Sequence, residues 1–267
     1  MTASFGVLAA TFEAPTTRDF VYGCWGRTLH LLGFNLCLNF VVFLVALTAV
    51  VFVLLFYLAF RQPKVVPGRL QSVMEIGIGF IREQIAMPML GEQADRYLPL
   101  LTTLFFFILL GNMFEVIPGL GFSANSRIAI PLVLAIISWV TYNAVGVARH
   151  GFFGYLRFVC IIPEAPWWLR YTLLPLIDFV STILIRPVTL SVRLAANFLA
   201  GHFLLAVFFL GTVFFLKDGP KTWILAGVSF PLAILLVGFE IFVAILQAFI
   251  FSILTASYIG GAMAEEH

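Results

Sequence analysis

The chain has 267 residues, 62% hydrophobic and only 10% charged, with a formal net charge of +2 and a mean hydropathy of +1.07. Soluble domains carry about 25% charged residues, so a water-soluble globule is excluded and an integral membrane protein is implied. The charge is too small and too dispersed for nucleic acid, and Cys24, Cys37 and Cys160, far apart and without a CxxC, exclude a disulfide framework and a paired-cysteine zinc site.

Residues 1–35 are mixed and moderately polar, with Glu13, Arg18, Asp19, Arg27 and His30, and read as an extramembrane N-terminal arm. A secretory signal would open on a basic start followed at once by an apolar core, a pattern this stretch does not have. The membrane domain covers 36–267. Its first span, 36–60, is long enough to cross ~30 Å of hydrocarbon with some tilt; it stops where Arg61-Gln62-Pro63-Lys64 brings charges and a proline together. Residues 68–94 mix apolar and charged residues at helical spacing. They carry Arg69, Glu75, Arg82 and Glu83, too much charge for a span, and predict an amphipathic helix at the interface.

The second span, 97–117, ends at Pro118-Gly119 and carries Asn112 and Glu115 near that end. The third, 128–148, is closed by Arg149-His150-Gly151. A loop follows with Arg149, Arg157, Arg170 and the pair Trp167-Trp168. Two very long apolar stretches, 169–216 and 222–263, are joined by Lys217-Asp218-Gly219-Pro220-Lys221. Each is roughly twice the length of a perpendicular crossing, and only the isolated Pro187 and Pro231 interrupt them. The reading is a hairpin of two steeply tilted helices, within an all-α integral membrane fold.

Basic residues concentrate in two loops: Arg61, Lys64, Arg69, Arg82 and Arg96 in one, Arg149, Arg157 and Arg170 in the other. Both fall on one side if the second and third spans pair. The positive-inside rule makes that side cytoplasmic. The N-terminus is then outside and the C-terminus inside, with Glu115 near the outer surface.

The chemistry gathers in the last two stretches. Arg186, Arg193 and Asn197 lie within about 40° of one helical stripe, and His202 falls on the face opposite Arg193. In the last helix Glu240 and Gln247 share a face. A charged side chain at the bilayer centre costs ~2.5–3.5 kcal/mol on insertion scales, so such residues are functional by default. Arg193 keeps its proton at any accessible pH and cannot relay one; it can hold a carboxylate ionised. The partner is either Glu240 across the hairpin or a carboxylate of another protein. His202 and Glu240 can titrate near neutrality if perturbed, and with Glu115, Asn197 and Gln247 can line a wet proton path. The competing reading of these groups is interhelical hydrogen-bond glue. Arg186, just before Pro187, is equally readable as structural. Ala195, Ala196, Ala200 and Gly201 let another helix approach closely.

Arg193-Leu194-Ala195-Ala196-Asn197-Phe198-Leu199-Ala200-Gly201-His202 resembles the signature of subunit a of the rotary F-type ATP synthase, and the run from Phe239-Glu240 to Gln247-Ala248 resembles that subunit's last helix. Leu98-Pro99-Leu100 with Gly111-Asn112, and the ending Ala264-Glu265-Glu266-His267, fit the same family, so the similarity spans about 36–267. The resemblance implies a proton-translocating stator with two offset half-channels against a c-subunit ring, held with b-type peripheral stalk subunits and the rest of the synthase. By position it makes Arg193 the arginine that faces the ring carboxylate and blocks proton leak. It places Asn197, His202, Glu240 and Gln247 on the outer half-channel with Glu115 at its mouth, and Asp178 near an inner half-channel acid. His202 and Glu240 stand in the reverse order from some members, which carry Glu then His, yet the pair is present. The segment around Arg186-Pro187 resembles the actinobacterial branch, implying a bacterial plasma membrane; the alternative is the mitochondrial inner membrane.

No GxxxxGK[ST] is present, so ATP itself is not handled by this chain, and the dispersed His30, His150, His202 and His267 suggest no metal or other cofactor. An ion-coupled secondary transporter is the alternative function. Such proteins often show inverted repeats, and no internal repeat is visible here.

Overall fold

The structure, a computed structural model, describes residues 29–31, 34–36, 39–117, 128–160, 177 and 180–264. Two three-residue strands, β1 (Leu29–Leu31) and β2 (Phe34–Leu36), pair antiparallel ahead of the first helix. Everything else of regular structure among the described residues is helical, and the all-α class stands with this one small ladder added. Five helical stretches among these residues are long and apolar enough to cross a membrane.

Helix α1 (Phe40–Phe60) opens on Asn39, whose side chain accepts a bond from the Val42 amide at 3.0 Å. The cap satisfies a donor that water would otherwise take. Apolar all round, with mean hydropathy 3.0, α1 buries only a few positions against the protein, and the rest of its surface suits hydrocarbon.

Helix α2 (Arg69–Ile81) runs through a π-helical turn, Arg82–Ala86, into the short α3 (Met87–Leu90). There Gly91 takes φ +54, a left-handed conformation that a side chain would strain, and a 3₁₀ turn, Gly91–Gln93, leads into α4 (Ala94–Val116). The chain thereby doubles back. Gly77 lies against Phe106, Phe80 against Phe105, and nearer the bend Arg82 donates two bonds to the Asp95 carboxylate at 2.7 and 3.1 Å. The amphipathic segment therefore packs antiparallel along α4.

Helix α5 (Ala129–His150) turns at Gly151 into α6 (Phe152–Cys160). A second π-helical turn, Ser181–Ile185, feeds α7 (Arg186–Lys217), and α8 (Trp223–Met263) closes the described fold. Both π turns end two residues before a proline, Pro88 in one case and Pro187 in the other. Proline has no N–H, and its ring collides with the carbonyl four residues back; the wider turn moves that carbonyl aside without ending the helix.

Helices α7 and α8 form an antiparallel hairpin. Thr222 Oγ1 donates to the Phe215 carbonyl beside the turn, Ser229 Oγ to the Phe208 carbonyl, and Thr212 Oγ1 to Ser229 Oγ. Further along, Gly201 meets Glu240 and Arg186 meets Tyr258. Each step back along α7 is matched by a similar step forward along α8. The 41 residues of α8 make a rod of about 60 Å, twice the hydrocarbon thickness. A perpendicular crossing would leave half of a strongly apolar helix in water, so tilt suits its composition.

The core lies where α4, α5, α7 and α8 meet, around Leu101, Ile108, Tyr142, Leu194, Phe251 and Ile259. In it, Ser138 Oγ donates to Thr255 Oγ1 at 2.8 Å, and Thr255 passes its own proton to the Phe251 carbonyl. Gly260 of α8 sits on the Met89 carbonyl, an approach that any Cβ would block. A satellite cluster of Val41, Leu44, Phe114 and Phe198 fixes the start of α1 against α4 and α7.

Candidate functional site

Helix α4 ends with Asn112 and Glu115 one turn apart, on the face turned toward the hairpin. Helix α7 contributes Asn197 and Gly201, also one turn apart, and α8 contributes Glu240 and Gln247, two turns apart. These six line one cavity of about 260 Å³ between the three helices, walled otherwise by apolar side chains such as Leu194, Phe239 and Leu204. That space holds several waters, and its lining offers them carboxyl and amide partners.

Glu240 stands with both carboxyl oxygens buried and without a hydrogen-bond partner among the described residues; Glu115 Oε1 is buried likewise. A buried carboxyl so placed costs several kcal/mol if it stays charged and dry, so its stable state is either protonated or wet. Glu240 reaches α7 at Gly201, where no side chain intervenes. His202, next in the chain, turns to α4. Its Nδ1 lies 3.6 Å from Glu115 Oε1, and its ring stacks on Phe198 with centroids 5.5 Å apart. Phe198 belongs to the satellite cluster with Phe114, so apolar packing shields this contact. The carboxyl of Glu115, the imidazole of His202 and the carboxyl of Glu240 are thus gathered around one stretch of α7. Acids and a base at such spacing can exchange protons through one or two waters.

Arg193 takes no part in this cavity. Its side chain is exposed, and no ion pair joins it to any described residue. It sits one turn before Asn197 on α7 and, by the register of the hairpin, near the level of Gln247. Arg186 goes elsewhere. Its guanidinium lies 4.9 Å from the centre of the Tyr258 ring, and Tyr258 meets Tyr142 edge-on at 5.6 Å. The Tyr142 hydroxyl, in a buried side chain, donates to the Thr182 carbonyl inside the π turn at 2.7 Å. Arg186 is therefore packed into a tyrosine cluster that ties α5, α7 and α8 together. Asp178 lies outside the described residues, as do Trp167-Trp168 and most of residues 1–35. Among the described residues no group of three or more His, Cys, Asp or Glu is placed to hold a metal ion.

Sequence reasoning left out Asn112 from the site, although its position one turn before Glu115 puts the two on one face. It also left out Tyr258. That residue lies eighteen after Glu240, five full helical turns at 3.6 residues each, on the same stripe of α8.

The fold and the cavity define a multi-pass helical membrane protein that gathers titratable groups between its spanning helices and leaves Arg193 exposed on one of them. Comparison with known proteins gives the family. The family model described as ATP synthase A chain matches residues 41–260. ATP synthase subunit a of Rhodococcus erythropolis is 40% identical over 276 residues, covering 100% of this chain and 96% of the relative. Those of Frankia alni and Streptomyces lividans are 40% and 41% identical, each over 96% of this chain and over 88% and 89% of the relative. The chain belongs to the ATP synthase subunit a family, and the three relatives named above are actinobacterial. The proton-translocating stator role follows from that membership, which does not favour the secondary-transporter alternative.

Proposed function

We propose that this chain forms two offset half-channels against a ring of c subunits, with Arg193 facing the ring and the α4–α7–α8 cavity serving as the outer half-channel. The supporting observation is the division of labour on α7: Arg193 is exposed with no acid beside it among the described residues, while Glu115, Asn197, Glu240 and Gln247 gather round a cavity that Arg193 does not line. An exposed guanidinium at mid-span calls for a carboxylate from a neighbouring chain.

A proton enters from outside along Glu115, His202 and Glu240, with Asn197 and Gln247 holding water, and neutralises a ring carboxylate. The neutral site can face lipid, which an ionised carboxylate could not do cheaply. After nearly a full turn it reaches the inner half-channel, near Asp178, and loses its proton. Arg193 favours that loss because its positive charge stabilises the carboxylate, and its fixed charge bars protons from passing directly between the half-channels. Each charge crossing supplies ~2.3 kcal/mol per 100 mV. The ion is H⁺, since an imidazole in the path suits protons better than Na⁺. The chain sits in a bacterial plasma membrane with its N-terminus outside, beside b-type peripheral stalk subunits.

The test is Arg193→Ala in the assembled synthase, in inverted vesicles. Proton-driven ATP synthesis should fall to background while the complex still assembles. Synthesis at the unsubstituted rate would refute the reading.

A further inference from the structure

Two hollows enter the helical bundle from opposite ends. The Glu115 cavity reaches as far as Leu194 and Gln247. A second cleft, of about 580 Å³, opens between the start of α4, the last turns of α5 and the end of α8, and reaches as far as Val140 and Thr141. Gln93, Arg96 and Thr141 in its lining suit water, and it lies on the side that the loop charges assign to the cytoplasm. Helix α5 runs parallel to α8, since Ser138 meets Thr255 and Tyr142 meets Tyr258. That register sets Val140 level with Ser257 of α8, ten residues beyond Gln247. About 15 Å of packed protein therefore separates the two hollows along the helix axis.

An apolar layer fills that gap. The contacts of Gly201 with Glu240 and of Arg186 with Tyr258 set Phe251 of α8 level with Leu190 and Leu194 of α7. Counting back from the Ser138–Thr255 bond brings Leu134 of α5 to the same level, and counting from the cavity shared by Glu115 and Glu240 brings Leu104 of α4 there. All five side chains are buried in one core cluster, and Phe251, the largest, is 2% exposed. The polar groups at this depth make no relay. Ser138 donates to Thr255, and Thr255 donates to the Phe251 carbonyl, so the hydroxyl chain ends on an acceptor with no proton to pass on. Trp139 Nε1 and Ser252 Oγ are buried without a partner among the described residues. The first can only donate; the second can hold one water, whose reach is far short of the gap.

A proton that crossed here would reach the cytoplasmic cleft without turning the ring. We propose that Phe251, backed by Leu104, Leu134, Leu190 and Leu194, is a proton barrier inside this subunit. The proposal rests on the reading of the α4–α7–α8 cavity as the outer half-channel. Arg193, which does not line that cavity, guards the exposed face of α7, and Phe251 guards the interior of the bundle. A hydrated proton in this layer would meet neither a hydrogen-bond partner nor an opposite charge, so it would bear the full desolvation cost. A file of water is excluded for the same reason, because each water needs polar partners of its own.

The experiment measures passive proton flux in vesicles holding the assembled synthase, with the ring carboxylates replaced by amides so that transfer through the ring is shut. The otherwise unsubstituted complex should show background flux. Phe251→Ser should raise this ring-independent flux by about tenfold or more, and Leu194→Ser, an independent route into the same layer, should do likewise. Phe251→Leu, which disturbs packing but keeps the layer apolar, should stay at background even where it lowers thermal stability. Background flux in both serine variants of the assembled complex would overturn the proposal. So would a leak in Phe251→Leu equal to that in Phe251→Ser, which would make the effect one of packing. Glu115→Gln separates the barrier from the reading beneath it. If it lowers proton flux through an active ring while Phe251→Ser stays tight, the barrier alone falls. If it spares both that flux and the Phe251→Ser leak, the half-channel reading falls and the barrier with it.

Discussion

Gly201 of α7 lies so close to Glu240 of α8 that a Cβ added to it would stand 2.6 Å from the carboxyl oxygen Oε1. The contact joins the two long helices at the cavity and leaves the carboxyl no room on that side. Both Glu240 oxygens are buried and lack a hydrogen-bond partner among the described residues, so no hydrogen bond within them aims this carboxyl, and the close approach of Gly201 bounds it on one side.

Gly201→Ala should therefore push the Glu240 carboxyl out of its place and lower proton conduction through the complex by about tenfold, a small part of what a misplaced proton-transfer group can cost. Glu240→Asp shortens the side chain by one methylene and should relieve the collision. In a double-substitution cycle on proton flux the two changes should be non-additive, with an interaction of about 0.5–3 kcal/mol. Strict additivity would show that Gly201 and Glu240 act separately.

His202 and Glu115 should likewise act as a unit. The 3.6 Å separation is beyond a direct hydrogen bond but within reach of a shared proton through small movement or one water. Glu115→Gln keeps the size and removes the acid. Passive proton flux through the membrane sector should drop about tenfold or more, and adding His202→Ala should lower it little further. Flux in Glu115→Gln equal to that of the unsubstituted chain would remove Glu115 from the path.

Arg186 offers a test of stability instead of flux. Its contact with Tyr258 is a cation over an aromatic face in a partly buried setting, worth about 0.5–2 kcal/mol. Arg186→Gln should lower the thermal stability of the purified complex by that order, and Tyr258→Leu should do the same. Tyr258→Phe should keep most of the contact. Full proton-driven synthesis in Arg186→Gln at low temperature would mark the residue as a packing element; lost synthesis with unchanged stability would give it a role in conduction.

The individual helices were legible in the sequence because lipid imposes a simple rule. With no water in the hydrocarbon, a long uncharged stretch has to be helical, and charges with proline or glycine mark its ends. That rule yielded the stretches around 36–60, 97–117 and 128–148 and the two long helices joined by Lys217-Asp218-Gly219-Pro220-Lys221. The helical period also separated Arg193 from His202 on opposite faces of α7, and the structure has one exposed and the other turned to Glu115.

What meets each face was decided only by the tertiary structure. In lipid, no gradient of hydrophobicity tells one helix which neighbour to choose; close approach of small residues and a few polar contacts make the choice. Nothing in residues 97–117 says that Glu115 will find His202 some 90 positions later, or that Asn112 will share a cavity with Gln247. Nothing around Arg186 points to Tyr258 and Tyr142. The doubling back of α2 along α4 depends on the left-handed bend at Gly91 and on the seat of Gly260 over Met89. The chain's composition fixed which segments enter the bilayer and which charges they carry there. The rotation and crossing of the helices, set by contacts between residues far apart in sequence, decided which of those charges meet.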